Sequence, residues 1–310
     1  MVYIIGIDIG GTKTSVSLGN PSGEILVRRV YPTTSFPATL GEAKRIIRTF
    51  LNEYDRGLKK TKGIGISCAG PLDLKKGTVV SPPNMPSWRN VALRQTLARS
   101  FPLPVFMDND ANCAAKAEKM FGAGKNVDNL FYYTVSTGIG GGIIIAGKIY
   151  HGVTVDAGEI GHTILLPEGP KCGCGKRGCL EALASGTAIA RIAREKATKK
   201  SLILKIAGQK KNINAVHVAQ AARRGDRLAQ TIFDQASFYL AISVANVIQV
   251  LNPEMIVIGG GVSKVGSLLF TPLKRYVAKF SWARPRNKCK IVPAALKDKV
   301  GDLGAISLVL

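Results

Sequence analysis

The alternation of hydrophobic and polar positions predicts three strands and a helix at the start of the chain. Val2–Ile9 is apolar and β-branched with one Asp, Thr14–Leu18 alternates between polar and apolar residues, and Ile25–Tyr31 follows a turn. We expect these three segments to form an antiparallel meander. Apolar residues at helical spacing in Glu42–Tyr54 then predict an amphipathic helix, and Gly63–Ser67 returns as a short strand.

The opening pattern of strand, glycine-rich turn and strand recurs near the middle of the chain. Leu130–Val135 is a predicted strand, Ser136–Gly142 a glycine-rich turn and Ile143–Ala146 a second strand, much like residues 4–18. This repeat predicts two lobes of similar topology. The remaining predictions are helices at Val91–Phe101, Ala111–Phe121, within Glu181–Lys196, at Arg227–Leu251 and from Val265, and strands at Pro104–Met107 and Met255–Ile258. Strands alternating with helices favour an α/β fold with a sheet in each lobe and a shared cleft.

The charge balance is strongly basic. The 310 residues include 43 Lys and Arg against 20 Asp and Glu, a formal net charge of +23. Such an excess is typical of nucleic-acid binders and of proteins that handle polyanions such as nucleotides. Because the basic residues are scattered, most of them are interpreted as solvated surface. No apolar run reaches the roughly 18 residues of a membrane span and no signal-peptide pattern is present, which predicts a soluble cytoplasmic protein.

Three glycine-rich segments predict a phosphate site. Glycines let a backbone approach a phosphate closely, and neighbouring hydroxyl and Lys side chains contact it. The segments are Gly6–Thr14, Ser136–Gly142 and Gly259–Gly261. The first matches neither G-x-x-x-x-G-K-[ST] nor G-x-G-x-x-G. Asp8 lies in an apolar strand, where a carboxylate needs a cation or hydrogen-bond donors, so contact with phosphate or Mg²⁺ is favoured over a plain turn. Together the segments favour a nucleotide held between lobes.

Polar residues are concentrated at the end of one predicted strand, in Asp108-Asn109-Asp110-Ala111-Asn112. One Asp or Asn suffices to cap the helix that follows, so the others need a different explanation. The carboxyl end of a strand faces the predicted cleft, which makes Asp110 a candidate general base toward a hydroxyl group.

Cysteine spacing predicts a metal site. His162, Cys172, Cys174 and Cys179 form a complete Cys₃His set for a closed, structural zinc site, which is favoured over a redox cysteine pair. Glu159 and Glu181 flank this set, so zinc would hold two carboxylates in place. These acids are either surface residues or bidentate acceptors for hydroxyl groups, as a sugar requires. Cys68, Cys113 and Cys289 are isolated and are interpreted as buried thiols, and His151 and His217 as structural or surface residues.

These motifs together resemble the ROK family, within the sugar kinase, actin and hexokinase superfamily, nearly from end to end. They are D-I-G-G-T-K at Asp8–Lys13, N-D-A-N at Asn109–Asn112, T-G-I-G-G-G at Thr137–Gly142, E-I-G-H at Glu159–His162 and C-G-C-G-x-x-G-C-L-E at Cys172–Glu181. Residues 81–88 and 181–186 are similar to those of bacterial-type glucokinases. The resemblance implies a two-lobed, actin-like (ribonuclease H-like) α/β fold. Its smaller lobe would contain residues 1–109 and the C-terminal helix 300–310, and its larger lobe residues 110–299 with a zinc-binding segment at 159–181.

The resemblance also implies an ATP-dependent hexose kinase, a glucokinase first of all, in which Asp110 is the base that takes the proton of the sugar 6-hydroxyl. Its implied sugar contacts are Gly70, Asn84, Asn109, Asp110, Glu159, His162 and Glu181. Its implied nucleotide contacts are Asp8, Gly10, Gly11, Thr12, Lys13, Thr137, Gly138, Gly259, Gly260 and Gly261, with Asp8 near Mg²⁺. A homo-oligomer, either dimer or tetramer, is also implied.

Several alternatives remain open. The acceptor is glucose, N-acetylglucosamine, N-acetylmannosamine, mannose or fructose, or several of these, because discrimination depends on loop shape. A sugar-responsive ROK repressor without catalysis is the alternative of another class, and the net charge makes it worth weighing. Such repressors carry a DNA-binding segment before the kinase-like part, for which a hairpin starting at residue 6 is expected to leave no room. The presence of Asp110 and of both phosphate hairpins favours an enzyme over a repressor or a non-catalytic binder.

Overall fold

The structure, a computed structural model, describes residues 1–56, 58–82 and 85–310. Its strands are β1 (Tyr3–Ile9), β2 (Lys13–Gly19), β3 (Ile25–Pro32), β4 (Thr61–Cys68), β5 (Leu72–Asp73), β6 (Thr78–Val79), β7 (Val105–Asn109), β8 (Leu130–Val135), β9 (Ile139–Ile145), β10 (Lys148–Ile149), β11 (Met255–Gly259) and β12 (Lys290–Pro293). Its α-helices are α1 (Phe36–Tyr54), α2 (Leu93–Ala98), α3 (Asp110–Phe121), α4 (Leu180–Ala184), α5 (Gly186–Lys196), α6 (Leu202–Ala207), α7 (Ala215–Arg223), α8 (Arg227–Leu251), α9 (Ser267–Phe280), α10 (Ala283–Lys288) and α11 (Val300–Ser307).

The chain forms two compact units. The first contains Met1–Asp128, Gly142–Ala157 and Ala295–Leu310, and the second contains Asn129–Gly141 and Gly158–Ala294. Residues 110–128 are grouped with the first unit, in which α3 packs against α11. The lobes predicted from sequence, 1–109 with 300–310 and 110–299, place their boundary before α3, and that division stays a prediction.

The sheet of the first unit has the order β3-β2-β1-β4-β7. Antiparallel pairing of β1 with β2 and of β2 with β3 confirms the predicted meander, and β4 adds parallel to β1 and β7 parallel to β4. Helix α11 packs against β1, β4 and α3. A Cβ atom at Gly65 in β4 would lie 1.8 Å from the carbonyl oxygen of Ala305, so only glycine permits this close approach. The C-terminal segment therefore returns to the first sheet.

The second sheet has the order β10-β9-β8-β11-β12, in which β8, β11 and β12 run parallel. The helix α8 is long and apolar enough to span a membrane by length and composition. However, 61% of its apolar window is buried inside the protein, as in the core helix of a globular unit. Its buried residues include Phe233, Leu240 and Val244.

One sequence prediction about these elements was wrong in detail. The strand β9 begins at Ile139, so Gly140–Gly142 lie in a strand and not in the predicted turn. They are glycines because of close packing: a Cβ at Gly141 would lie 2.8 Å from the Phe131 ring. The helical stretch predicted within Glu181–Lys196 is confirmed by α5, which Ser185 separates from the short α4; the backbone of Ser185 is extended, and its side chain accepts from the N–H of Ala188.

Candidate active site and metal centre

The polar cluster at the end of β7 and the start of α3 is divided among three different environments. Asn109 is the N-cap of α3, and its Oδ1 accepts the N–H of Ala111 at 2.8 Å. Asp108 is buried, and its Oδ1 accepts from the Asn109 N–H at 2.7 Å and from Asn112 Nδ2 at 3.0 Å. Asp110 alone of the three acidic and amide side chains 108–110 is exposed to solvent. Asn109 therefore caps the helix, and Asp108 is buried with Asn112. Asp110 is the carboxylate of this cluster that solvent reaches.

Asp110 combines solvent access with an unusual environment. It is the first residue of α3, and its Oδ1 accepts the N–H of Ala111 at 2.9 Å. Although solvent reaches the side chain, the protein atoms around it desolvate the carboxylate and raise its pKa, against the lowering effect of that N–H. A carboxylate with a raised pKa is a stronger proton acceptor than an ordinary Asp, which is what a general base needs.

Asp8 lies in β1 close enough to interact electrostatically with Asp110. The Ser67 hydroxyl donates to its Oδ1 at 2.9 Å. Burial raises the pKa of Asp8 to about 6 in spite of that hydrogen bond, and the negative charges of Asp302 and Asp110 add to the rise. A cation beside Asp8 would relieve both the burial cost and the repulsion.

The first glycine-rich hairpin joins β1 to β2. Its turn is closed by the Gly10 N–H, which donates to the carbonyl of Lys13 at 3.1 Å. Thr12 and Lys13 are exposed to solvent at the tip of the turn. Gly70, another predicted contact, lies beside Asn109, since a Cβ there would be 3.0 Å from Asn109 Nδ2. Asn84, predicted as a sugar contact, lies outside the described residues.

The second unit contains the predicted metal site. The ligand atoms of His162, Cys172, Cys174 and Cys179 all lie within 4.8 Å of one another. The Cys172 Sγ is 3.7 Å from His162 Nδ1, and the Cys174 and Cys179 sulfur atoms are 3.7 Å apart. Tetrahedral zinc bonds of about 2.1–2.3 Å place donor atoms roughly 3.4–3.8 Å apart. These four residues therefore fit a closed zinc site, and the three cysteines form no disulfide.

Both predicted acids lie against this cluster. Glu159 Oε2 is 3.9 Å from His162 Nε2, the ring nitrogen opposite the one that faces Cys172. Glu181 is the second residue of α4, whose N-cap is Cys179, and its Oε1 is 3.9 Å from the Cys172 sulfur. Its Oε2 accepts the N–H of Ile139 at 3.0 Å. The Cys₃His cluster, the two acids and the second glycine-rich hairpin are thus one connected structure.

Three loops of the second unit meet at one pocket of about 520 Å³. The second glycine-rich hairpin is closed by the Ser136 N–H, which donates to the Gly138 carbonyl at 2.9 Å. The Gly186 N–H donates to the Ser136 carbonyl at 2.7 Å. Gly260 has φ +87°, and a Cβ there would lie 2.4 Å from the carbonyl of Val135, so this tight contact requires glycine. Of the predicted nucleotide contacts in this unit, Thr137 and Gly261 line the pocket, whereas Gly138, Gly259 and Gly260 shape its loops.

Sequence reasoning missed most of the pocket wall. Its apolar part includes Ala190, Val216, Ala219, Val262 and Val265, and its polar part includes Thr187, Arg194, Asn214, Gln220, Arg223 and Lys264. The wall thus has an apolar face suited to a flat ring and three cations suited to an anion, with no carboxylate among the lining residues. One signal was available, since Asn214 has the spacing of a helix N-cap before Val216 and His217.

A profile of the ROK family matches residues 4–310. The chain belongs to the ROK family.

Relatives within this family include both enzymes and regulators. The chain is 39% identical to the glucokinase of Thermotoga maritima over 308 residues, which covers 99% of this chain and 96% of the relative. It is 33% identical to the xylose repressor of Caldicellulosiruptor bescii, covering 99% of this chain and 78% of the repressor. A crystal structure of the ROK family glucokinase of Streptomyces griseus with glucose and AMPPNP superposes with a TM-score of 0.83 at 32% identity, covering 99% and 98% of the two chains. The predicted actin-like α/β fold is thereby confirmed.

Proposed function

We propose that this ROK protein is an ATP-dependent hexose kinase, with glucose as its first acceptor and the sugar 6-phosphate as its product. The observation that carries the proposal is Asp110, an exposed carboxylate with a raised pKa at the start of α3, beside the helix cap Asn109. The full-length similarity to glucokinases, one of them seen with glucose and AMPPNP, supports the same activity.

Asp110 would act as the general base. Its carboxylate takes the proton of the sugar 6-hydroxyl while that oxygen attacks the γ-phosphorus of ATP, and ADP leaves with the electrons of the broken P–O bond. Phosphoryl transfer depends more on positioning and charge neutralisation than on covalent catalysis. The N-cap bond of Asn109 fixes the start of α3, and so holds the Asp110 backbone in place.

The sugar contacts proposed for the second unit rest on the metal cluster. Nδ1 of His162 faces Cys172 and would bind the zinc, which would leave Nε2 to donate to a sugar hydroxyl, and Glu159 and Glu181 would accept hydrogen bonds from other hydroxyl groups of the sugar. Bound zinc would supply rigidity and no open catalytic position. In the first unit Gly70, Asn84, Asn109 and Asp110 are the proposed contacts.

The proposed nucleotide contacts also lie in both units. Thr137, Gly138 and Gly259–Gly261 would hold the nucleotide at the pocket of the second unit, whose apolar wall suits an adenine ring. Asp8 and Gly10–Lys13 would face phosphates in the first unit. Mg²⁺, when bound near Asp8, would neutralise phosphate charge, for which a carboxylate oxygen is a suitable ligand. We further propose a cytoplasmic homo-oligomer, a dimer or tetramer.

The test is ADP release with Mg-ATP across a panel of hexoses and N-acetylhexosamines, with Asp110→Asn beside the wild type. We expect turnover with glucose that is lost in Asp110→Asn and kept in Asp73→Asn, a surface acid of the same unit whose partner is Lys76. Turnover with another sugar would keep the reaction and change the acceptor.

The repressor relatives support one alternative, a sugar-responsive regulator without catalysis. Sugar binding measured by calorimetry, with no ADP release for any sugar in the panel, would favour that regulator and overturn the kinase.

A further inference from the structure

His151, for which sequence analysis found no partner, has a specific one in the same unit. Its Nε2 lies 2.7 Å from Asp108 Oδ2. The Asp108 side chain is 5% exposed and that of His151 is 36% exposed, so the imidazole covers a carboxylate that is otherwise inside the protein. The Oδ1 atom of Asp108 accepts from Asn109 and Asn112, and the other oxygen, Oδ2, accepts from His151. A buried carboxylate without such a partner is strongly destabilised.

The contact joins two segments that are far apart in the sequence. Asp108 bonds the N–H of Asn109, and Asn109 caps the helix that begins with Asp110. His151 follows β10 and begins a turn in which its carbonyl accepts the N–H of Ala157 at 3.2 Å. Val155 in that turn has φ +74°, a conformation that a β-branched residue rarely adopts. The surrounding structure therefore keeps the turn in this conformation. The His151 side chain connects the turn to β7 through its contact with Asp108.

We propose that His151 is a positioning residue for phosphoryl transfer, which acts through Asp108 on Asn109 and on the base Asp110. This inference rests on the proposed kinase activity. A protonated imidazole on Asp108 orients that carboxylate, and the carboxylate in turn holds the backbone of Asn109 at the start of α3. Small displacements of a base cost large factors in rate, because the reacting atoms must stay within near-attack distance.

Electrostatics supports this geometry. The hydrogen bond to Asp108 raises the pKa of His151, against the lowering effect of its partial burial. Among the described residues, Lys116 and Asp110 of α3 are charged groups near Asp108: Asp108 acts electrostatically on Lys116, and Asp108 and Asp110 both act on the buried thiol of Cys113. As the pH rises through the raised pKa of His151, the imidazole loses its charge and the contact to Asp108 weakens. The turnover number should fall in step.

Two substitutions at one position test the proposal. His151→Leu cannot donate a hydrogen bond, and we expect kcat to fall about 10–100-fold with the KM for ATP within about threefold of wild type. His151→Gln keeps a donor but not the charge, so its kcat should lie between those of His151→Leu and wild type and should show no alkaline decline. Val153→Ala, at a residue 97% exposed in the same turn, is the matched control and should match wild type.

Each outcome is decisive. Equal kcat in wild type and His151→Leu, or an unchanged alkaline decline in His151→Gln, overturns the positioning role. A uniform loss in both variants at every pH, together with a lower Tm, assigns His151 a structural role only and also overturns it. An NMR titration of the imidazole separates this test from the proposed activity: the pKa of His151 should fall in Asp108→Asn, even if no sugar is phosphorylated. An unchanged pKa would show that the contact to Asp108 is absent in solution.

Discussion

The two units hold their candidate carboxylates by different means. In the first unit Asp110 is placed by backbone structure, at the junction of β7 and α3, with Asn109 as the helix cap. In the second unit Glu159 and Glu181 are placed by a Cys₃His cluster and by one backbone donor, Ile139. Loss of a metal should therefore affect the second set and spare the first. The comparison suggests that the step of proton transfer and the step of sugar recognition can be disrupted separately.

The largest expected effect is on turnover, through Asp110, the candidate carboxylate of the first unit. Asp110→Asn removes the base but keeps the size of the side chain, so kcat for glucose should fall about 10²–10⁴-fold. The calorimetric Kd for glucose should stay within about threefold of wild type. Substantial turnover in this variant would end the role of Asp110 as base and, with it, the proposed difference between the two sets.

The second set should respond to loss of the metal. We expect one zinc ion per chain by elemental analysis, and a weaker Kd for glucose by about 10–100-fold in Cys179→Ser, because ligands and their neighbours orient one another. Cys289→Ser, a cysteine outside the cluster, should keep both the zinc and the affinity. Freshly purified wild-type protein without zinc, or unchanged affinity in Cys179→Ser, would contradict the proposed metal role.

The raised pKa of Asp8 predicts a pH dependence of stability that arises in the first unit. Its pKa is about 6 in the folded protein against an ordinary value of 3.8, so folding favours the protonated form. The stability that Asp8 contributes is complete below about pH 4 and is lost as the pH rises through about 6. Asp8→Asn should therefore be more stable than wild type at pH 7, by about 2–3 kcal/mol, and much less active. Urea unfolding at pH 4 and pH 7 measures this, and equal stabilities at pH 7 would be the contrary result.

The smallest effect concerns the pocket of the second unit. Ser185 caps α5 directly before Gly186 and Thr187, which line that pocket. Ser185→Ala should cost about 1 kcal/mol of stability and raise the KM for ATP a few-fold. Ser201→Ala, which removes the matching cap of α6 away from the pocket, should cost a similar amount and leave that KM unchanged. Equal KM changes in the two variants would show that the α5 cap has no special relation to the nucleotide.

Local patterns were sufficient for most of the fold. The strands β1–β3 and the helix α8 were predictable because alternating or helical apolar spacing reflects which side of each element is buried. The break at Ser185 was missed because the apolar spacing continues across it, and the helix is interrupted by contacts to a distant hairpin. The short helices α6 and α7 were not predicted because they contain too few turns to show a clear helical spacing of apolar residues. The predicted strand Ile143–Ala146 was shorter than β9 because the glycines in the first half of β9 resemble those of a turn.

By itself the sequence determined the family, the four candidate metal ligands and the acidic cluster at the end of β7, since each of these depends on residue type at short spacing. Only the tertiary structure decided which members of those motifs share an environment. The bond between His151 and Asp108 spans 43 positions, and the bond between Glu181 and the Ile139 N–H spans 42. The pocket wall likewise combines side chains from α5, α7 and the loop after β11. Such pairs depend on the path of the whole chain, and the burial that shifts the pKa values of Asp8 and Asp110 exists only once that path is complete.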